Sequence, residues 1–557
     1  MKYFYLLFFM LLQLLTVSAN PVLPGQWRIL NLEDGSQVEA ELKGDEFCHF
    51  WQTADGRCFV ETSTAGVYQP AILTDLQNRS FNNRKANIEP AKRRTRTIIG
   101  GDHQPYVGKK KGLLLLVDFQ NKKFEDDHTP DLYKDIANKV GFTSDLGFVG
   151  SMKDYFMAQS GDQFELEFDV VGPLTMPKTY GYYGANTQGN DTNPRLMIGT
   201  ACEMADEYVN FKDYDWDDDG EVDLVYVIYA GLGEAAGGDA NTIWPHKSAL
   251  HFTYGDPLQF DGVKVDTYAC GPELTVKRTY TGTKTIIEGI GTICHEFSHC
   301  LGLPDVYDTS YGGGYGMDAW DLMNSGSYNG DSYIPAGYTS YEKFYCGWLQ
   351  PIELKNDTTI TGMKPLSEGG EAYIIYNDAN RNEYYLLENR QLTGWDAAIP
   401  GHGLLVIHVD YDSLAWQYNF VNNYTSYPKY NNHERLTVIA ADNNRSSSDA
   451  ATDAYPYQDN NSLTNISLPR AELYNLNPDG IHYTSKPITN IKEENGLISF
   501  EFKNEVKNRS SETAIRSISS ASDKRKTIYN LQGRDMGTNP SALPKGIYII
   551  DGKKVVK

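Results

Sequence analysis

Basic side chains are scarce in this 557-residue chain: 50 Lys and Arg stand against 73 Asp and Glu, a formal charge of -23. Such a balance argues against a nucleic-acid partner, because neutralising phosphates needs clustered Lys and Arg. Past the first residues there is no apolar run of about 20 residues, so no stable membrane span is expected. Cysteines are few and odd in number, seven in all, and none stands in a CxxC pair. That excludes a cysteine zinc knuckle and leaves at least one thiol outside any intramolecular disulfide set. Tyrosine (39) and glycine (50) are plentiful instead, a composition that suits a β-rich, loop-rich protein working outside the cell.

The first residues have the layout of a secretory signal peptide: Lys2, an apolar stretch over 3–15 broken only by Gln13, then Val17-Ser18-Ala19 before Asn20. A signal peptide is therefore expected over 1–19, giving a secreted or outer-surface location. A propeptide is expected over 20–107, where short alternating segments are separated by turns at Asp34-Gly35, Gly44-Asp45 and Asp55-Gly56. The basic stretch 92–96 reads as an exposed linker that a trypsin-like protease would cut. From 108 to 350 helices and strands alternate, the pattern of an α/β catalytic domain. A buried strand is expected at 112–118, helices at 150–159, 193–209 (Asn193 as N-cap) and 285–301, and a further strand at 224–230. Residues 351–503 are nearly all strand and turn, expected to form a β-sandwich-like accessory domain. A polar linker (504–526) and a small strand-rich tail (527–557) follow. The fold class is thus multidomain α+β and α/β.

The densest chemical signal is His295-Glu296-Phe297-Ser298-His299. Four residues apart on a helix, the two imidazoles share one face and can grip one ion. Glu296 between them is placed to act on a metal-bound water. Catalytic zinc takes three protein ligands and keeps one position open. The continuation Cys300-Leu301-Gly302-Leu303-Pro304-Asp305 supplies a helix stop at Gly302, a block at Pro304 and a carboxylate at Asp305, with Asp308 as a second choice of ligand. The whole reads HExxHxxGxxD. It resembles the elongated metzincin motif with Asp in place of the third His, and Trp320–Gly326 resembles the methionine turn, with Met323 as a packed floor that touches no metal. A tyrosine two residues beyond that Met is missing; Ser325 stands there and Tyr328 is nearby.

HEFSHCLGLPDVYD followed by DLMNSG resembles the immune-inhibitor-A family of metallopeptidases. KKGLLLLVDF, AGLGEAAGGDANTIWPH and ENRQLTGWDAAIPGHGLLVIHVD resemble other segments of the same family, and the likeness runs over about 25–445. The resemblance implies a latent, secreted zinc endopeptidase with Glu296 as general base, acting on protein or peptide substrates.

Asp215, Asp217, Asp219 and Asp223 fall at positions one, three, five and nine of an EF-hand-like loop, with Gly220 at six and the Glu221 carbonyl at seven. The bidentate Glu of position twelve is replaced by Tyr226, so this reads as a structural Ca2+ loop outside a true EF-hand. The ending IYNLQGRDMG…LPKGIYIIDGKKVVK resembles the sorting domain of type IX secretion cargo, which implies the type IX machinery as a partner. Cys48, Cys58 or a propeptide Asp are candidates to block the Zn2+ in the precursor. Two rival functions remain at this stage: a metal-binding adhesin or pseudoenzyme, and a zinc amidase acting on cell-wall links.

Overall fold

The computed structural model describes residues 21–87, 106–187, 190–279, 282–423, 431–507, 528–530, 536–537, 543–550 and 553–557. The expected signal peptide, the basic stretch 92–96 and most of the linker 504–526 lie outside these residues. The chain divides into two compact units, residues 1–507 and 508–557. The first is mixed α/β.

Its first element is a closed barrel of Trp27–Leu32, Gln37–Asp45, Cys48–Gln52, Cys58–Glu61 and Val67–Ala71. Neighbours are antiparallel except the closing pair, which is parallel. Leu30, Ala40, Leu42, Trp51, Phe59 and Tyr68 fill it, and Trp244 from far along the chain packs on the same cluster. Helix Leu73–Asn87 follows.

A second sheet runs in the order His246–Ala249, Thr267–Thr279, Val225–Leu232, Gly108–Asp118, Phe164–Thr175, with Gly282–Ile287 paired to Thr267–Thr279. The inner pairings are parallel and His246–Ala249 is antiparallel. The run Leu113–Val117 is buried throughout, as a parallel strand covered on both faces must be. Because side chains alternate, Leu114 and Leu116 enter one core and Leu113, Leu115 and Val117 the other. Helix Ile290–Cys300 packs in the first of these through Ile290, Ile293, Cys294 and Phe297.

Helix boundaries differ from expectation in two places. Residues 285–287 extend the strand Gly282–Ile287, and the helix begins only at Ile290. Thr283, Thr285, Ile286 and Ile287 are β-branched and favour the pleated surface. The helix expected over 193–209 ends at Ala205, and Asn193 makes no side-chain cap bond; its amide donates to the Tyr182 carbonyl at 2.9 Å.

Residues 351–503 build two sheets, one of Ile352–Glu353, Tyr373–Tyr376, Glu383–Arg390, Gly403–Asp410 and Leu436–Val438, the other of Thr358–Met363, Leu497–Phe502 and Ile488–Glu494. Tyr373, Ile375, Leu387, Leu404 and Val406 of the first pack against Met363, Ile498, Phe500 and Phe502 of the second. The opposite face, with Ile374, Tyr384, Leu386, Leu405 and Ile407, belongs to the same core as helix Ile290–Cys300. Every residue of Glu383–Arg390 and Gly403–Asp410 is therefore buried, where an antiparallel sheet ordinarily keeps one face in water. These strands are not an appendage; they close the core of the preceding domain.

Arg390 pins that junction. Its fully buried guanidinium donates to both carboxylate oxygens of Asp396 at 2.8 and 2.6 Å, to Glu388 at 3.0 Å, and to the carbonyls of Trp320 and Gly337 at 3.2 Å each. The second unit holds a three-stranded antiparallel sheet, Ile528–Asn530, Ile547–Ile550 and Lys553–Val556, around Ile528, Leu543 and Tyr548. Among the described residues no helix is long and apolar enough to cross a membrane.

Arg390→Ala strands Asp396 and Glu388 without their counter-charge. It is expected to destabilise the first unit by about 3–5 kcal/mol, read as a lowered thermal midpoint; an unchanged midpoint would contradict the role given to this residue.

Candidate metal centre

Helix Ile290–Cys300 is buried on nearly all sides, as a helix crossing a core must be. Gly289 opens it where nothing larger fits: a β-carbon there would lie 2.2 Å from the Ser332 carbonyl oxygen. The i, i+4 spacing sets His295 above His299, with ring centroids 4.7 Å apart. Each ring turns its Nδ1 to a carbonyl, His295 to Leu322 and His299 to Leu303, both at 2.8 Å. Those bonds hold the Nδ1 protons and leave the Nε2 lone pairs free. The two Nε2 atoms lie 3.1 Å apart, and each is 3.3 Å from Asp305 Oδ1.

The backbone that delivers Asp305 is a helix stop. Gly302 N–H donates to the His299 carbonyl at 2.9 Å and Leu303 N–H to that of Ser298 at 3.2 Å, the paired bonds of a Schellman motif. Gly302 sits at φ +93°, and a β-carbon there would meet the Tyr345 hydroxyl at 2.6 Å. Both conditions require glycine.

Asp305 is fully buried. Asn419 grips it twice: its side-chain oxygen accepts from the Asp305 N–H at 2.7 Å, and its amide donates to Oδ2. Oδ1 faces the imidazoles and has no hydrogen-bond partner. Burial opposes ionisation of Asp305, but the His299 and His295 rings outweigh it and hold the carboxyl below its usual range. Burial pulls His299 below its ordinary pKa against the attraction of Asp305, favouring the neutral ring that a metal requires. Two imidazole nitrogens and one carboxylate oxygen converge on one point. That donor set fits a zinc ion and leaves a position open.

Asp308, the second choice of ligand, is spent elsewhere. Oδ1 accepts from Ser310 N–H and hydroxyl, and Oδ2 from the N–H groups of Gly312 and Gly314. Met323 is buried; its N–H donates to Asp321 at 2.7 Å and its carbonyl accepts from Val306 at 3.0 Å. The segment around Met323 thus braces the Asp305 loop and, through Leu322, His295. Glu296 is fully buried within the helix. The Tyr328 hydroxyl donates to the Pro21 carbonyl at 2.6 Å. His246 does packing work, bonded to the Trp244 carbonyl at 2.7 Å and the Tyr268 hydroxyl at 2.8 Å, and burial draws its pKa down to about 4.

All seven cysteines are free thiols. Cys48 lies against the Arg79 guanidinium (3.2 Å to Nη2), and Cys58 beside Gln52 (3.6 Å). Both pack in one small cluster with Phe50 and Leu76, against which Tyr311 also packs.

In the acidic loop, carboxylate oxygens of Asp215, Asp217 and Asp219 lie within 4.8 Å of one another. Asp218 at φ +58° and Gly220 at φ +85° bend the chain around them. Glu221 and Asp223 do not join this group. The Asp223 carboxylate accepts from Trp216 N–H at 2.6 Å, and Glu221 bridges to Lys264 along the backbone.

Residues 108–349 match the catalytic domain of immune inhibitor A peptidase M6. This segment is an M6 peptidase domain. Similar proteins include the pre-pro-metalloprotease PrtV of Vibrio cholerae serotype O1, 31% identical over 278 residues, 42% of this chain and 30% of that protein. Immune inhibitor A of Bacillus thuringiensis subsp. alesti is 28% identical over 318 residues, 49% of this chain and 44% of that protein. The chain thus spans under half the length of these curated relatives. The M6 segment ends just before the strands that complete its core, and Asn419 lies beyond it.

No motif spacing marks Asn419; its one local cue is that Asn tolerates the positive φ of +55° it adopts. Supporting residues of this kind are worth about 10–100-fold in metal affinity. Asn419→Ala is expected to weaken zinc retention by that factor in competition with a chelator, measured below the variant's own, lowered thermal midpoint. Retention equal to the parent would remove Asn419 from the site.

Proposed function

We propose that the chain is the precursor of a secreted zinc endopeptidase that cleaves peptide bonds of extracellular proteins. The observation that carries this reading is the convergence of His295, His299 and Asp305 inside an M6 peptidase domain. Zinc held there would supply Lewis acidity, polarising the scissile carbonyl and acidifying water. Glu296 takes the proton from the attacking water and passes it to the leaving amine nitrogen, so one carboxylate serves as base and then as acid. His295 and His299 present Nε2 to the site because their Nδ1–H groups are held by the Leu322 and Leu303 carbonyls. Asp305 brings one negative charge, and Asn419 keeps its second oxygen occupied.

Residues 20–107 act as the propeptide, the signal sequence over 1–19 exports the chain, and the tail from 527 is the type IX address. A relative whose name reads pre-pro-metalloprotease supports export and latency. The loop Asp215–Asp217–Asp219 takes Ca2+ as a structural ion, with Glu221 and Asp223 in outer positions; three carboxylates in one turn repel without a cation.

With the matured protein on casein, Glu296→Ala is expected to lower kcat by about 10²–10⁴-fold or more, and a chelator to abolish hydrolysis until zinc is restored. Undiminished turnover in the variant would remove Glu296 from the reaction, and no turnover in the matured parent would favour an adhesin or pseudoenzyme. For the acidic loop, added Ca2+ is expected to raise the thermal midpoint of the parent and not of the Asp215→Asn/Asp219→Asn variant; an equal rise in both would exclude Ca2+ there.

A further inference from the structure

Phe47, Phe50 and Phe81, all in the segment read as the propeptide, lie against aromatic rings from later in the chain. Phe47 sits in the two-residue turn that closes the hairpin Gln37–Asp45/Cys48–Gln52, and it packs against Phe252 and Tyr418. Phe81, on helix Leu73–Asn87, stacks on Phe420 with ring centroids 5.0 Å apart. Phe50 meets the Tyr311 ring edge-on at 6.0 Å. Phe47 and Phe81 are buried, whereas Phe252 and Tyr418 are only partly so.

This aromatic strip adjoins the metal centre. Tyr418 and Phe420 flank Asn419 in sequence, and the Asn419 side chain holds Asp305 by its N–H and its Oδ2. The Asn419 carbonyl accepts from the Thr309 hydroxyl at 3.2 Å, and the Thr309 carbonyl from the Ser80 hydroxyl at 3.4 Å. The hairpin is fastened at the same loop: the Tyr307 hydroxyl donates to Asp45 Oδ2 at 3.5 Å, an oxygen also paired with buried Arg84. Phe252 is steadied from the peptidase side. The Arg195 guanidinium lies 5.2 Å from its ring centre, and Arg195 Nε donates to the hydroxyl of Ser248, in the edge strand His246–Ala249, at 3.0 Å. Beside Phe47 a cavity of about 100 Å3 remains, walled by Pro194, Arg195, Trp244 and His246, so the ring does not exhaust the space there.

Departure of Phe47 and Phe81 bares Phe252, Tyr418 and Phe420 together. A contiguous apolar surface on a soluble protein marks a binding groove, and an aromatic ring entering it gains edge and stacking contacts beyond its buried area. Phe47 shows the chemistry that such a groove accepts.

We propose that Phe252 and Tyr418 form a substrate pocket of the matured peptidase that selects a large apolar side chain, aromatic above all, and that Phe47 fills it until the propeptide leaves. The proposal rests on the reading of the chain as an endopeptidase precursor. The selected residue lies near the bond that is cut, because Tyr418 is next in sequence to the residue that holds a metal ligand. Discrimination comes from burial of ring area that a small side chain lacks.

The test uses the matured protein and quenched fluorescent peptides in which each position in turn carries Phe, Leu or Ala. At one position kcat/KM for Phe is expected to exceed that for Ala by at least about 10-fold, the discrimination a single methylene gains in an apolar pocket, with Leu between them. Phe252→Ala and Tyr418→Ala should each remove most of that ratio, and Phe252→Tyr should keep it. A second measurement needs no variant: cuts made in casein by the parent, mapped by mass spectrometry, should cluster beside Phe, Tyr and Trp. A Phe/Ala ratio near one at every position, casein cuts indifferent to aromatic residues, or an undiminished ratio in both alanine variants would overturn the proposal and leave the strip as a seat for the propeptide alone. No cleavage of casein or of any peptide by the matured parent would instead remove the endopeptidase reading beneath it.

Discussion

Two imidazole nitrogens and a carboxylate oxygen meet in a dry interior, each nitrogen 3.3 Å from the oxygen. Left alone, such a group would relax apart, since low dielectric strengthens the repulsion between lone pairs. Much of the surrounding architecture answers that constraint. The helix supplies the vertical spacing of the histidines, the turn at Gly302 returns the chain, and the Leu303 and Leu322 carbonyls fix each ring's rotation. Asn419 fixes the carboxylate. Each support comes from a different stretch of chain, so the centre is a property of the whole first unit rather than of its motif.

That dependence explains the doubly buried sheet. Glu383–Arg390 and Gly403–Asp410 have no wet face because one side closes the sandwich-like core and the other closes the core under the metal helix. Arg390 reaches across this boundary to Trp320 and Gly337, tying the sheet to the segment that carries Met323. A boundary near 350 marks a change in residue pattern. It does not mark a break in packing.

The histidine pair was legible because helical spacing is local and regular. Asp305 and Asp308 were both plausible by distance along the chain; only the folded loop shows that Asp308 satisfies four donors of its own turn while Asp305 turns inward. The helix start was misread because Thr285–Ile287 is apolar enough to continue a helical pattern, although its β-branched residues pair as a strand. Asn419 was invisible in sequence, being 114 residues from the group it holds.

The distance to Asn419 also orders events in time. Chains emerge from the ribosome, and cross membranes in the exported case, starting from the N-terminus. The N-terminal barrel therefore exists before the metal helix, and the metal helix before Asn419. During synthesis the last brace of the centre arrives late. A truncated or stalled product shorter than about 420 residues thus carries the histidine motif with an ungripped aspartate.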